Sequence, residues 1–107
     1  MLGPLFESLV TLGVQSFATS LDARVYHMRD RDGRHEIDLI VEDPGGRVVA
    51  LEVKLAATPD DHDVRHLLWL KQRMGAQLAD MAVITTGRHA YRRPDGVAVI
   101  PAALLGP

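Results

Sequence analysis

The chain has 107 residues, 47% apolar and 24% charged, with a net charge of −2 and no cysteine. Length and composition describe one soluble globular domain with a modest single core, not a disordered or multidomain chain. They exclude disulfide staples and thiolate metal sites, agree with a reducing cytoplasm, and give the whole molecule no positive charge with which to draw a polyanion.

The first 21 residues carry one charge, Glu7. No positive segment precedes the apolar stretch, so it is not a signal peptide. Polar residues from Ser8 to Ser20 interrupt it too often for a membrane span of about 20 apolar residues. The spacing predicts a largely buried helix with Pro4 near its start. Leu5, Leu9 and Leu12 form one stripe, and Val10, Val14, Ala18 and Leu21 form another. Glu7 falls on the second stripe, so its carboxylate is expected to face the protein.

From residue 23 the period changes to two. Ala23 to Met28 reads as a strand with Arg24, Tyr26 and Met28 on one face, and Asp30 to Gly33 supplies the turn. Two further strands follow, Glu36 to Val41 and Leu51 to Leu55, separated by Pro44, Gly45 and Gly46. Alternation puts Glu36 with Asp38 on one face and Glu52 with Lys54 on another. A three-residue loop sets Asp43 opposite Arg47, Asp38 opposite Glu52 and Glu36 opposite Lys54. Facing carboxylates are destabilising unless something positive sits between them, and a divalent metal is the usual occupant.

Thr58, Pro59 and the acids Asp60 and Asp61 read as a helix entrance, with Thr58 as cap and Pro59 in the first helical position. That helix runs through Val64, Leu67, Leu68 and Leu70 to Gly75. Met81 to Thr85 is a nearly continuous apolar run, as in a strand covered on both faces. A polar loop, Gly87 to Gly96, precedes a last strand from Val97 to Ile100, and Pro101 to Leu105 forms a terminal turn. No repeat, linker or low-complexity segment appears.

Charge is unevenly placed. Residues 42 to 63 are mainly acidic, whereas residues 65 to 93 carry Arg65, Lys71, Arg73, Arg88, Arg92 and Arg93 against Asp80. A basic surface beside an acidic cleft is compatible with that division. His62 and His66 have a zinc-ligand spacing of four, but no third ligand is evident and solvated helix histidines are the preferred reading. His89 with Arg88, Arg92 and Arg93 reads as a solvated loop in preference to a phosphate contact. Trp69 and Tyr91 are too few for a stacking platform.

The order helix, three antiparallel strands, helix, strand, strand, with Glu7 on the first helix, Asp38 on the second strand and Glu52, Val53 and Lys54 on the third, resembles the PD-(D/E)XK nuclease superfamily. The opening Gly3 to Glu7, the Glu36 to Asp38 strand, Glu52 to Lys54, and the late Thr86, Gly87 and Gly96 to Pro101 are similar to the DUF4143 domain over nearly the whole chain. The resemblance implies an α/β domain of restriction-endonuclease-like fold, with a mixed central sheet flanked by helices. Such domains usually stand C-terminal to an AAA+ type ATPase, and this chain has no phosphate loop of its own.

The resemblance also implies a Mg²⁺ site, with Mn²⁺ as a possible substitute. Asp38, Glu52 and the Val53 carbonyl would be ligands, and Glu7 would sit at a second metal position or hold a metal-bound water. Lys54 would orient the attacking water and stabilise developing charge. Glu36 has no place in that pattern and is read as a partner that pairs with Lys54 and keeps it aimed. The expected function is a metal-dependent nuclease or nuclease-like module acting on nucleic acid, in the first place DNA. The alternative is a non-catalytic accessory domain that binds nucleic acid or protein for an AAA+ partner. Glycoside hydrolysis would use the carboxylates but gives Lys54 no role.

Overall fold

The computed structural model describes residues 24–104. The expected first helix, with Glu7, and the last residue of the terminal turn, Leu105, lie outside them. The described residues form a six-stranded mixed sheet and one α-helix. The strands are β1 (Arg24–Arg29), β2 (Glu36–Glu42), β3 (Val48–Val53), β4 (Leu78–Thr85), β5 (Tyr91–Arg92) and β6 (Ala98–Pro101), and the helix α1 is Arg65–Met74. Across the sheet the order is β1-β2-β3-β4-β6-β5. β1, β2 and β3 pair antiparallel, β4 lies parallel to β3 and β6, and β5 returns antiparallel to β6. No helix of the described residues is long and apolar enough to cross a membrane.

The β2–β3 hairpin closes as its turn residues dictate. Gly46 supplies a positive φ of 87°, its N–H donates to the Asp43 carbonyl, and the Asp43 N–H donates to the Arg47 carbonyl. Side chains that cannot adopt that backbone are excluded there. The register that follows sets Leu39 against Leu51 and Val41 against Val49, as the three-residue loop requires. Parallel β3 and β4 need a crossover, and α1 provides it.

The core has two layers. Ile40, Val48, Ala50, Met81 and Val83 face Val64, Leu67 and Leu70 on or beside α1, while Val49, Leu51, Ala82, Ile84, Ala98 and Ile100 form the buried cluster of the opposite face. The continuous apolar run in β4 thus serves both layers, as expected of a strand covered on both sides.

Two expectations need correction. α1 begins at Arg65, not at Pro59, and has no acid in its first turn. Asp60 and Asp63 instead close a turn on each other: Asp63 N–H donates to Asp60 Oδ1 at 2.9 Å and Asp60 N–H to Asp63 Oδ2 at 3.0 Å. These reciprocal bonds give Asp60 the local capping role assigned to Thr58, and the chain winds one irregular turn before the helix. The polar loop 87–96 is also not simply solvated, because it contains β5. Arg92 grips buried Asp80 at 2.8 and 3.3 Å. Arg93 donates to the Pro59 carbonyl at 3.0 Å, to Asp61 at 2.6 Å and to Asp95. Both arginines are committed to carboxylates, and Arg93 pins the segment that leads into α1.

Gly87 sets how closely the loop after β4 approaches the loop after β3. A Cβ there would lie 2.4 Å from the Ala57 carbonyl oxygen. Backbone on both sides cannot swing away as a side chain can, so Gly87→Ala should destabilise the domain by about 1–3 kcal/mol, the range for overpacking. Denaturant melts of the two proteins check this, and equal midpoints would show that the loops part without cost.

Candidate metal centre

β2 does not run regularly to its start. Tyr26 of β1 pairs with Ile40 and Met28 with Ile37, so two steps on β1 match three on β2. That extra residue is a bulge at Asp38 and Leu39, a device that re-aims a side chain and ends pairing. It brings Ile37 into the same core layer as Ile40. The extra residue breaks the alternation between Asp38 and Ile40, while Glu36 and Asp38, on either side of Ile37, still line one cleft. Glu36 pairs with Arg29 at 3.1 Å, and its expected partnership with Lys54 does not form. Asp38 turns toward β3, where its Oδ2 accepts the Val53 N–H at 2.8 Å.

Glu52 lies on the α1 side of β3, in line with core residues Val48 and Ala50. It is only 4% exposed, and its Oε1 has no hydrogen-bond partner among the described residues. Lys54 follows on the same face, and its N–H donates to the Ile84 carbonyl. The Val53 N–H therefore points to β2, and its carbonyl, on the same side of the strand, does too. Glu36, Asp38, Glu52, Val53 and Lys54 line one cleft of about 380 Å³, together with Arg34 from the β1–β2 turn and Arg65 and His66 from the start of α1.

Burial, first, and the negative charge of Asp38, second, push the Glu52 carboxyl up to about 7. The positive charges of Lys54 and Arg65 and the Asp38 N–H pull the other way without cancelling this. Ionising Glu52 in the fold costs roughly 3 kcal/mol at about 1.4 kcal/mol per pKa unit. A buried carboxylate oxygen without a donor, beside a second carboxylate, is a site that a hard cation would satisfy. Asp38, Glu52 and the Val53 carbonyl are oxygen donors of the kind Mg²⁺ takes, and Mg²⁺ retains several waters, so the donor set fits. Among the described residues no cluster of three His, Cys, Asp or Glu side chains could hold a metal. The third expected acid, Glu7, lies outside them.

The histidines do not make a zinc site. His62 is exposed on the irregular turn, while His66 faces the cleft with its Nδ1 buried and unpartnered. Burial, with the nearby charge of Arg65, holds the His66 imidazole below its ordinary pKa. Its ring meets the edge of His35, which stacks on Trp69 at 4.1 Å and bonds Asp30 at 2.8 Å. Sequence reasoning missed Arg34, Arg65 and His66 as cleft residues; a helix start placed after the Asp60 and Asp63 pair would have found the last two.

The family model described as "Domain of unknown function (DUF4143)" matches residues 2–105. No curated protein and no solved structure matches the chain.

The raised Glu52 pKa fixes a pH dependence. Its folded value lies above the ordinary 4.5, so the folded state holds the extra proton between those values. The stability this confers is complete below about 4.5 and is lost as pH rises through about 7. In metal-free buffer the stability of the parent relative to Glu52→Gln should fall by roughly 3 kcal/mol from pH 4.5 to 8. Denaturant unfolding of both proteins across that range measures it; parallel curves would mean that Glu52 titrates normally.

Proposed function

The chain belongs to the DUF4143 domain family, and from the Asp38 and Glu52 cleft we propose a Mg²⁺-dependent phosphodiester hydrolase, a nuclease or nuclease-like DNA-processing domain of PD-(D/E)XK type. The observation that carries this reading is the buried, unpartnered Glu52 carboxylate beside Asp38, with a lysine two residues further along the same strand face. Asp38, Glu52 and the Val53 carbonyl would hold the ion, and Glu7 remains the expected further acid. Bound there, Mg²⁺ or Mn²⁺ supplies neutralisation of phosphoryl charge and a nucleophile near neutral pH.

The chain's own residues have distinct tasks. The bond from the Val53 N–H fixes the Asp38 carboxylate on the strand, so it does not need ordering when the site fills. Lys54 orients the attacking water and stabilises the negative charge that develops on the phosphoryl group. Glu52 is held away from solvent among the buried apolar residues of β3, a low-dielectric setting in which those charges interact more strongly. The restriction-endonuclease-like fold and the cytoplasmic setting are parts of the same proposal.

A second reading, a non-catalytic module serving an AAA+ partner, draws on the net charge of −2, which does not by itself attract a polyanion. The two readings part on cleavage.

Thermal melts test the metal site. In millimolar Mg²⁺ or Mn²⁺ the parent should gain about 2.7 kcal/mol at a hundredfold excess over Kd. Asp38→Asn should lose most of that gain while standing as stable as the parent, or slightly more so, without metal, since it removes the charge facing Glu52. Equal metal shifts in both proteins would remove Asp38 from the ligands. Lys54→Ala should keep the metal shift yet depress DNA cleavage strongly, because Lys54 acts on the transition state. Cleavage equal to the parent's would place the activity elsewhere, and a metal shift without cleavage in the parent selects the second reading.

A further inference from the structure

The cleft holds more positive charge than hydrolysis of the reading above requires, and among the described residues none of its cations is closed into an ion pair. Arg34, Lys54 and Arg65 line it from three separate elements. The acids in the same cleft are engaged elsewhere or not at all: Glu36 pairs with Arg29, Asp38 accepts the Val53 N–H, and Glu52 Oε1 has no partner. None of the three cations forms an ion pair with a carboxylate among the described residues. Opposite charges that share a small cleft ordinarily collapse onto one another. Here each is anchored on its own element, so the positive set stays open to an anion and the negative set to a cation.

We propose that Arg34, Lys54 and Arg65 form a phosphate-binding wall that lays a nucleic-acid backbone across the Asp38 and Glu52 carboxylates; this deepens the hydrolase reading and rests on it. Lys54 serves the phosphate at the acids, and Arg34 and Arg65 hold its neighbours along the strand. Arginine suits that task, because its planar fork takes phosphate oxygens in pairs. Arg65 Nη1 donates to the His62 carbonyl, which steadies the guanidinium and leaves other N–H groups for a ligand. Arg92 and Arg93 cannot share the role, since both are closed onto carboxylates. Recognition is of backbone and not of bases: phosphate contacts carry no sequence information, and Trp69, near the cleft, is already stacked on His35.

The test is fluorescence anisotropy of the full chain with a labelled 20-base-pair DNA duplex in EDTA, so that neither metal nor cleavage enters, over a range of salt. The double variant Arg34→Gln, Arg65→Gln should bind about tenfold or more weakly at low salt. Its slope of log affinity against log salt should be shallower by about 1.8, two contacts at about 0.9 each. Arg88→Gln, an exposed arginine outside the cleft, should change neither, and thermal melts should show all variants folded. Parent-like affinity and slope in the double variant would overturn the wall, as would an equal loss in Arg88→Gln or no binding by the parent. A metal shift in the double variant equal to the parent's, with binding lost, supports both readings together. If the shift persists and binding is unchanged, the wall fails alone; if binding depends on the two arginines but no metal shift exists in the parent, the hydrolase reading fails and the wall stands.

Discussion

One extra residue in β2 decides what the cleft contains. Without the bulge, Ile37 would leave the core layer that it shares with Ile40, and Glu36 would stay in register with Lys54. With it, Asp38 spends a carboxylate oxygen on the Val53 N–H, Glu36, still lining the cleft, pairs with Arg29, and Lys54 has no carboxylate partner among the described residues. A bulge costs ladder hydrogen bonds at that point, and here a side chain replaces the missing acceptor. Among the described residues Lys54 is thereby not neutralised across the strand pair.

Glu52 is the counterpart of that arrangement in energy. Its burial and the neighbouring Asp38 charge together oppose folding by roughly 3 kcal/mol when it is ionised, a large fraction of the 5–15 kcal/mol typical of a domain. The sheet tolerates this because β3 is central, with buried apolar residues from Val48 to Leu51 on both faces. An apolar residue of similar size at position 52 would relieve the strain and remove the site. Stability and chemistry therefore compete at one residue, as is usual where a carboxylate is kept ready for a ligand.

What the sequence made legible were the features with a short, local cause. The glycines at 45 and 46 fix the loop and through it the register of β2 and β3. The apolar run at 81–85 marks a strand with two covered faces, and alternation sends Glu52 and Lys54 to one side. Alternation also brings Glu36 and Asp38 to one cleft, but nothing local in Glu36 to Val41 signals an inserted residue; the bulge is defined only against β1. The start of α1 was misread for a similar reason. Thr58 and Pro59 carry a valid entrance signal, but Arg93, 34 residues beyond Pro59, takes the Pro59 carbonyl and the Asp61 carboxylate. Arg92 and Arg93 looked like free positive charge because their partners, Asp80 and Asp61, are remote in the chain. The fold's long-range ion pairs were the part that periodicity could not supply.

The two outermost strands also bear on how the protein behaves at high concentration. An open sheet ends in unpaired N–H and C=O groups that can template another chain. Among the described residues, one end is β5, two residues long, with Arg92 fastened to Asp80. The other is the six-residue β1, which begins and ends in well-exposed arginines, Arg24 and Arg29, each paired with a glutamate of β2. Brevity blunts the first edge, and charge blunts the second. Among the described residues, removing the β1 arginines would leave a strand with exposed Val25 at its margin, an edge with no charge left to discourage pairing with another chain.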